Sequence, residues 1–246
     1  MQATYNPYLV IVSALVALLA SYTALDVASR VATAPAIGRK MWLVWGAISM
    51  GIGIWSMHFL AMLAFSLPVS VSYNFLLTVI SLIAAILASG LALSLVTRPK
   101  VGVSTLLTSA TFMGVGIGVM HYVGMAAMEM SATIRYKPGL FVASVVLAVV
   151  VSTIALELFL KFRRHQGMNK ALQTISAIVM GSGILALHYT GMAAVQFEAN
   201  SSIAPDGMSS ISLTFWVAIF TFAILGGTLL IAADAAAKAD ARNYLR

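Results

Sequence analysis

Seven apolar stretches run along the chain, at residues 9–29, 42–66, 74–97, 103–130, 139–162, 171–198 and 211–234. Each is about 20 residues or longer, enough for a helix to cross a ~30 Å hydrocarbon core. Inside lipid the backbone must satisfy its own hydrogen bonds, which leaves helices as the structure for such runs. The expectation is an all-α fold, a polytopic bundle of seven transmembrane helices. Composition agrees: 61% of the 246 residues are hydrophobic and 9% charged, against roughly 25% charged in soluble domains. The first stretch exceeds the apolar region of a signal peptide, and no small-residue cleavage site closes it, so it counts as a span. The connections are short and none divides the chain. Residues 1–234 are expected to form one membrane domain, and 235–246 the start of a cytoplasmic linker. With no cysteine, disulfides, thiolate metal sites and thiol catalysis are excluded.

The net charge of +7 reads as topology rather than nucleic-acid binding, because the basic residues are sorted by side. Arg30, Arg39, Lys40, Arg98, Lys100, Lys161, Arg163, Arg164, Lys170, Lys238, Arg242 and Arg246 fall on one side; Arg135 and Lys137 fall on the other, twelve against two of fourteen. That places the N-terminus outside and the C-terminus in the cytoplasm. Asp26, Glu157 and Asp234 lie near cytoplasmic helix ends and are expected to pair with Lys or Arg. Arg135, Lys137, Glu198 and Asp206 read as loop charges, and Glu129 and His165 as solvated.

Three segments align without gaps: Met50 to Met62, Met113 to Met125 and Met180 to Met192. Each carries a Met-Gly start, a histidine eight residues on (His58, His121, His188) and a methionine four beyond it (Met62, Met125, Met192). The histidines are 63 and 67 residues apart, one helix pair each time, so the copies run parallel about an axis along the membrane normal. Each histidine is expected roughly eight to ten residues before the outer end of its span, ~12–15 Å deep. Tyr73 and Tyr136 follow their histidines by fifteen residues, and Ile203 holds that place in the third copy.

Residues four apart share a helix face, so each imidazole and thioether can point at one place. Gly51, Gly114 and Gly181, seven before each histidine, lie about 20° from it and let helices approach closely. The histidine faces are therefore expected to turn inward, where an ionisable side chain marks a functional site. Met57 and Met120 directly precede their histidines and are weaker candidates, with Leu187 in the third copy. Imidazole and thioether together suit copper, above all Cu(I); zinc on three histidines and haem with axial His or Met remain alternatives. Met50, Met113 and Met180 lie about 80° around the helix from the histidines, which discounts them as part of a metal path.

Met120-His121-Tyr122, His188-Tyr189-Thr190 and the three His-x-x-x-Met units resemble the MHYT domain, a bacterial integral membrane sensor module. The resemblance spans nearly the whole chain, although no copy reads Met-His-Tyr-Thr in full: the first is Met57-His58-Phe59-Leu60. It implies a sensory input domain of the bacterial inner membrane, in contact with lipid and joined to cytoplasmic GGDEF and EAL domains of cyclic di-GMP signalling. It implies copper at His58, His121, His188, Met62, Met125, Met192, Met57 and Met120, with a diatomic gas (oxygen, carbon monoxide or nitric oxide) as signal. No catalytic residue, nucleic-acid partner or enzyme activity is expected of this chain, and a homodimer is compatible with it. A membrane metalloenzyme, a haem or redox protein and a copper transporter are the competing functions. The absence of native cysteine makes the topology testable: Lys100→Cys should react with a membrane-impermeant thiol reagent only from the cytoplasmic face, and Lys137→Cys only from the outer face. Labelling of both from one side would refute the assignment.

Overall fold

The computed structural model describes residues 3–98, 100–164, 170–200 and 206–244; His165, Ile203 and Arg246 fall outside them. Seven helices are long and apolar enough to cross a membrane. They are α1 (Pro7–Thr33), α2 (Ala36–Ala64), α3 (Phe75–Val96), α4 (Val103–Ala126), α5 (Pro138–Arg164), α6 (Lys170–Ala193) and a last helix that begins as α7 (Ser210–Thr221) and whose spanning part reaches Ile231. The last runs through a π-helical turn, Phe222–Gly226, into α8 (Gly227–Tyr244) without a break at residue 234. Asn6 and Asn74 cap α1 and α3 by accepting from the Leu9 and Leu77 backbone N–H groups, respectively, satisfying donors that a helix start leaves orphaned.

The apolar stretches overrun three helices. α2, α4 and α6 stop at Ala64, Ala126 and Ala193, and the chain beyond each turns extended: β2 (Phe65–Ser66) and β3 (Val71–Tyr73), β4 (Met128–Met130) and β5 (Ala132–Tyr136), β6 (Val195–Ala199) and β7 (Met208–Ser209). Met-Glu-Met and Val-Gln-Phe-Glu alternate apolar and polar residues with a strand period, which averaged hydropathy cannot see. The histidines thus stand six, five and five residues before their helix ends, about 8–9 Å rather than 12–15 Å, beneath a small β cap.

The helix pairs are not the ones the order of the chain suggests. A methyl added to Gly51 would meet the Ile86 backbone of α3, one on Gly114 the Val149 backbone of α5, and one on Gly181 the Leu18 backbone of α1. Two residues on, Gly53, Gly116 and Gly183 press against Ala20, Ala88 and Val151 of the other neighbour. Leu18, Ile86 and Val149 are therefore equivalent, and α1 is the third copy of α3 and α5. Six helices close a ring in the order α1 to α6. α2, α4 and α6 bear the histidines, and the last helix packs outside against α2, α7 through Phe220 on Trp55 and α8 through Thr228 Oγ1 to Ser49 Oγ (2.6 Å).

The equivalence extends along the whole of α1. Ser13, Ala17, Ser21, Ala24 and Leu25 match Ser81, Ala85, Ser89, Ala92 and Leu93, and also Ser144, Ala148, Ser152, Ala155 and Leu156, all fifteen of them buried. It reaches the cap as well. The backbone N–H groups of Asn6, Asn74 and Lys137 donate to the carbonyls of Ala64, Ala127 and Ala194. β1 (Thr4–Tyr5) pairs with β2, just as β3 pairs with β4 and β5 with β6. Tyr5 is thus the partner of Tyr73 and Tyr136, a place that counting from His188 gives to Ile203.

The expected ion pairs form at the basic end: Asp26 with Arg30 (2.7 Å), Glu157 with Lys161 (3.1 Å) and Asp234 with Lys238 (2.7 Å). In the cap Arg135 meets Glu198 across the β5–β6 pair at 2.9 Å. Glu129 is not simply solvated: its carboxylate accepts from Asn74 Nδ2 and the Asp206 backbone N–H, clasping three strands. If α1 closes the ring, Tyr22→Cys and Gln173→Cys, whose parent residues share a hydrogen bond from α6 to α1, will be joined by a short bis-thiol cross-linker. Gln173→Cys with Leu230→Cys will not, and the reverse result would put the last helix in the ring.

Candidate metal centre

The three histidines meet on the axis of the ring. His58 Nδ1 lies 3.1 Å from both His121 Nδ1 and His188 Nδ1, and the ring centroids are 4.9, 5.1 and 5.2 Å apart. All three residues are at most 2% exposed. They come from parallel helices at matching depth, as the repeat spacing requires. The close approach has a further cause three residues after each histidine, where the chain has Ala61, Gly124 and Gly191. Gly124 presses on the edge of the His58 ring and Gly191 on that of His121, each at Nε2. A small residue on one helix thus seats the imidazole of the helix before it.

Two chemical states fit this geometry. Neutral imidazoles can share one Nδ1–H···Nδ1 hydrogen bond at a time between His58 and either His121 or His188, because each Nδ1 carries either a proton or a lone pair. Alternatively the three Nδ1 lone pairs can converge on one ion, since one nitrogen from each ring lies within 4.8 Å of the others. Three nitrogens bound at ~2.0–2.1 Å in a trigonal or tetrahedral arrangement stand about 3.3–3.6 Å apart, so the two 3.1 Å contacts of His58 would open by only a few tenths of an ångström around an ion. The three Nε2 atoms are buried without a hydrogen-bond partner. A histidine on a metal usually donates its other N–H to a carboxylate or carbonyl, and the described residues supply none here. The donor set is neutral, and its outer shell is apolar.

The methionines named from sequence are also buried: Met62 and Met125 fully, Met57 and Met120 at 1% and Met192 at 6%. Met192 also lines an outer cleft with Tyr5, Phe65 and Phe197. The residue after each histidine braces the outer helix or the cap. Tyr122 shares a hydrogen bond with Ser144 Oγ (2.6 Å) and packs on Tyr136, Tyr189 packs on Tyr5, and Phe59 packs on Tyr73. Burial pushes the Tyr73 phenol well up, and burial followed by the neighbouring Tyr122 raises Tyr136 to about 12. Both cap phenols stay neutral near pH 7 and offer no phenolate. The histidine-plus-three residues, the Ser-x-x-x-Ala-x-x-x-Ser-x-x-Ala-Leu pattern of the outer helices and Tyr5 escaped the sequence reading. Aligning the odd spans with each other would have found the last two.

Repeats of the family described as MHYT, bacterial signalling protein N-terminal repeat, match at residues 51–109, 114–172 and 181–238. The chain belongs to the MHYT family. These MHYT repeats follow chain order and so assign α7 to the third copy, where the structure places α1. The chain is 42% identical over 231 residues to MucR of Pseudomonas aeruginosa, a bifunctional diguanylate cyclase/cyclic di-GMP phosphodiesterase, covering 93% of this chain and 34% of the relative. It is 41% identical over 193 residues to the cyclic di-GMP phosphodiesterase NbdA of the same organism, 78% of this chain and 24% of the relative. It is also 35% identical over 224 residues to the signalling protein YkoW of Bacillus subtilis, 90% and 28%. The chain spans about a third or less of the length of these relatives. No solved structure matches it. This is a multi-pass MHYT membrane region with a buried three-histidine group able to hold a metal ion.

The seat of the rings can be tested by size. Gly124→Val and Gly191→Val should lower stability by about 1–3 kcal/mol, the usual range for overpacking. Gly118→Ala on the same helix as Gly124, where an added methyl meets Val145 at an ordinary 3.7 Å, should leave the melting temperature nearly unchanged. Equal effects at all three positions would remove the special role of the glycines under the imidazoles.

Proposed function

We propose that this MHYT region is the sensory input module of an inner-membrane signalling protein, holding copper as Cu(I) at His58, His121 and His188. Three observations support copper over the alternatives. The donors are neutral, which suits a single positive charge in low dielectric better than a double one. The Nε2 atoms lack the carboxylate or carbonyl partners that usually orient zinc-bound histidines. The imidazoles pack at centroid distances near 5 Å, which leaves no room between them for a haem macrocycle. Met62, Met125 and Met192 are the further thioether ligands, with Met57 and Met120 behind them. Bound there, copper supplies a redox-active centre able to take a diatomic gas.

The chain's own residues then carry the change. His58 stands on α2, whose Trp55 packs on Phe220 of α7 and whose Ser49 shares a hydrogen bond with Thr228 of α8, on either side of the π-helical turn. A shift of the His58 ring against Gly124 displaces the surface on which α7 rests. The π-helical turn Phe222–Gly226, followed by Gly227, offers a place for α7 to change register before α8, since such turns are soft points in helices. With the basic end cytoplasmic, α8 leads toward cyclic di-GMP enzymes of the kind named for the relatives. A transporter would need a continuous path, and a hydrolase a general base; among the described residues no carboxylate joins the three histidines.

The convergence of three Nδ1 atoms carries this reading. Purified protein loaded with copper should retain about one ion at the histidines, lost in the His58→Ala/His121→Ala/His188→Ala variant at unchanged helix content. Equal copper in both proteins, or none in either, would overturn it.

A further inference from the structure

The residues eight and four before each histidine are Met50, Met113 and Met180, then Ile54, Ile117 and Ile184. On a straight helix the methionines lie about 80° from the histidine face, and the sequence discounts them for that reason. The structure nevertheless brings them to one place. All six side chains line one cavity of about 20 Å³ between the helices, and the three methionines are 2–6% exposed. A long unbranched side chain reaches across an angle that a stiff one could not. The cavity is deeper than the histidines by up to eight residues, ~12 Å.

Its size is that of a single small occupant, because about 10–15 Å³ suffices for one water. A second and separate feature points to a ligand: Ser152 lines the cavity, is 1% exposed, and its Oγ has no hydrogen-bond partner. Water is a poor candidate, since a buried water takes two to four good polar partners and this wall offers one free hydroxyl beside weakly accepting thioethers. Flexible methionines that served only as filling would have closed the gap.

We propose that Met50, Met113 and Met180 form a second site, in which three thioethers bind one soft monovalent cation, Cu(I) or Ag(I). Thioethers select soft metals. No carboxylate or carbonyl crown lines the cavity for a hard cation, and no anion is there to offset a double charge, whose desolvation grows with the square of the charge. The site does not depend on the histidine centre being metal-bound; it adds a deeper station on the same axis.

The test uses the full chain in detergent, titrated with Ag(I), with bound silver counted after desalting. Met50→Leu/Met113→Leu/Met180→Leu keeps side-chain volume and should fold with a similar melting temperature while binding one silver fewer than the parent. The single Met113→Leu variant, a milder change, should weaken that equivalent at least tenfold. The triple His→Ala variant should keep it, with a three-sulfur shell in silver X-ray absorption. Failure of the histidine centre alone would leave this methionine-dependent equivalent in place. Unchanged silver binding in both Leu variants, or bound silver without a three-sulfur shell, would overturn the proposal.

Discussion

Three imidazoles with nowhere else to turn are the constraint around which the bundle is built. They are buried among apolar helices, and their Nε2 atoms find no acceptor. Their polar demand can be met only by one another or by a shared ion. Bringing Nδ1 atoms to 3.1 Å requires helices that approach closely on two sides. Gly51, Gly114 and Gly181 seat each inner helix against its outer partner, while Gly124 and Gly191 let the inner helices close on the rings. Removing either set of small residues separates the nitrogens, and the centre with them.

The ring is completed in an order that differs from the order of the chain. α6 has its outer partner in α1, and β1 completes the cap that β2 begins. The third unit is thus made from the two sides of a single cut in the ring, and α7 is left over. That leftover helix touches the ring at α2 and continues into α8. A near-symmetric bundle with an asymmetric attachment offers a physical route outward for any change at its axis, because among the described residues the last helix packs chiefly on α2 of the three inner helices.

Much of this was legible in the residues. The seven spans, the parallel repeats and the meeting of His58, His121 and His188 followed from hydropathy and from a fixed spacing, since equal spacing on parallel helices leaves little freedom in depth. Where the reading fell short, the cause was specific. The cap strands after Ala64, Ala126 and Ala193 place an apolar residue at every second position, so averaged hydropathy ran them into the helices they succeed. Tyr5 was missed because its copy lies at the opposite end of the chain from His188. Met50, Met113 and Met180 were set aside by an angle on a helical wheel, which describes where a Cβ points and not how far three rotatable bonds can carry a side chain; all three line one cavity.

The mutual contact of the rings can be observed directly. Protein labelled with nitrogen-15 in histidine, in lipid bilayers, can be studied by magic-angle-spinning NMR that correlates nitrogens through space. Three of the four histidines should give Nδ1–Nδ1 cross-peaks linking them into one cluster. The His58→Ala variant, which removes the ring common to both 3.1 Å contacts, should lose both of the strongest. Three histidines with no cross-peaks between them would contradict the account at its centre.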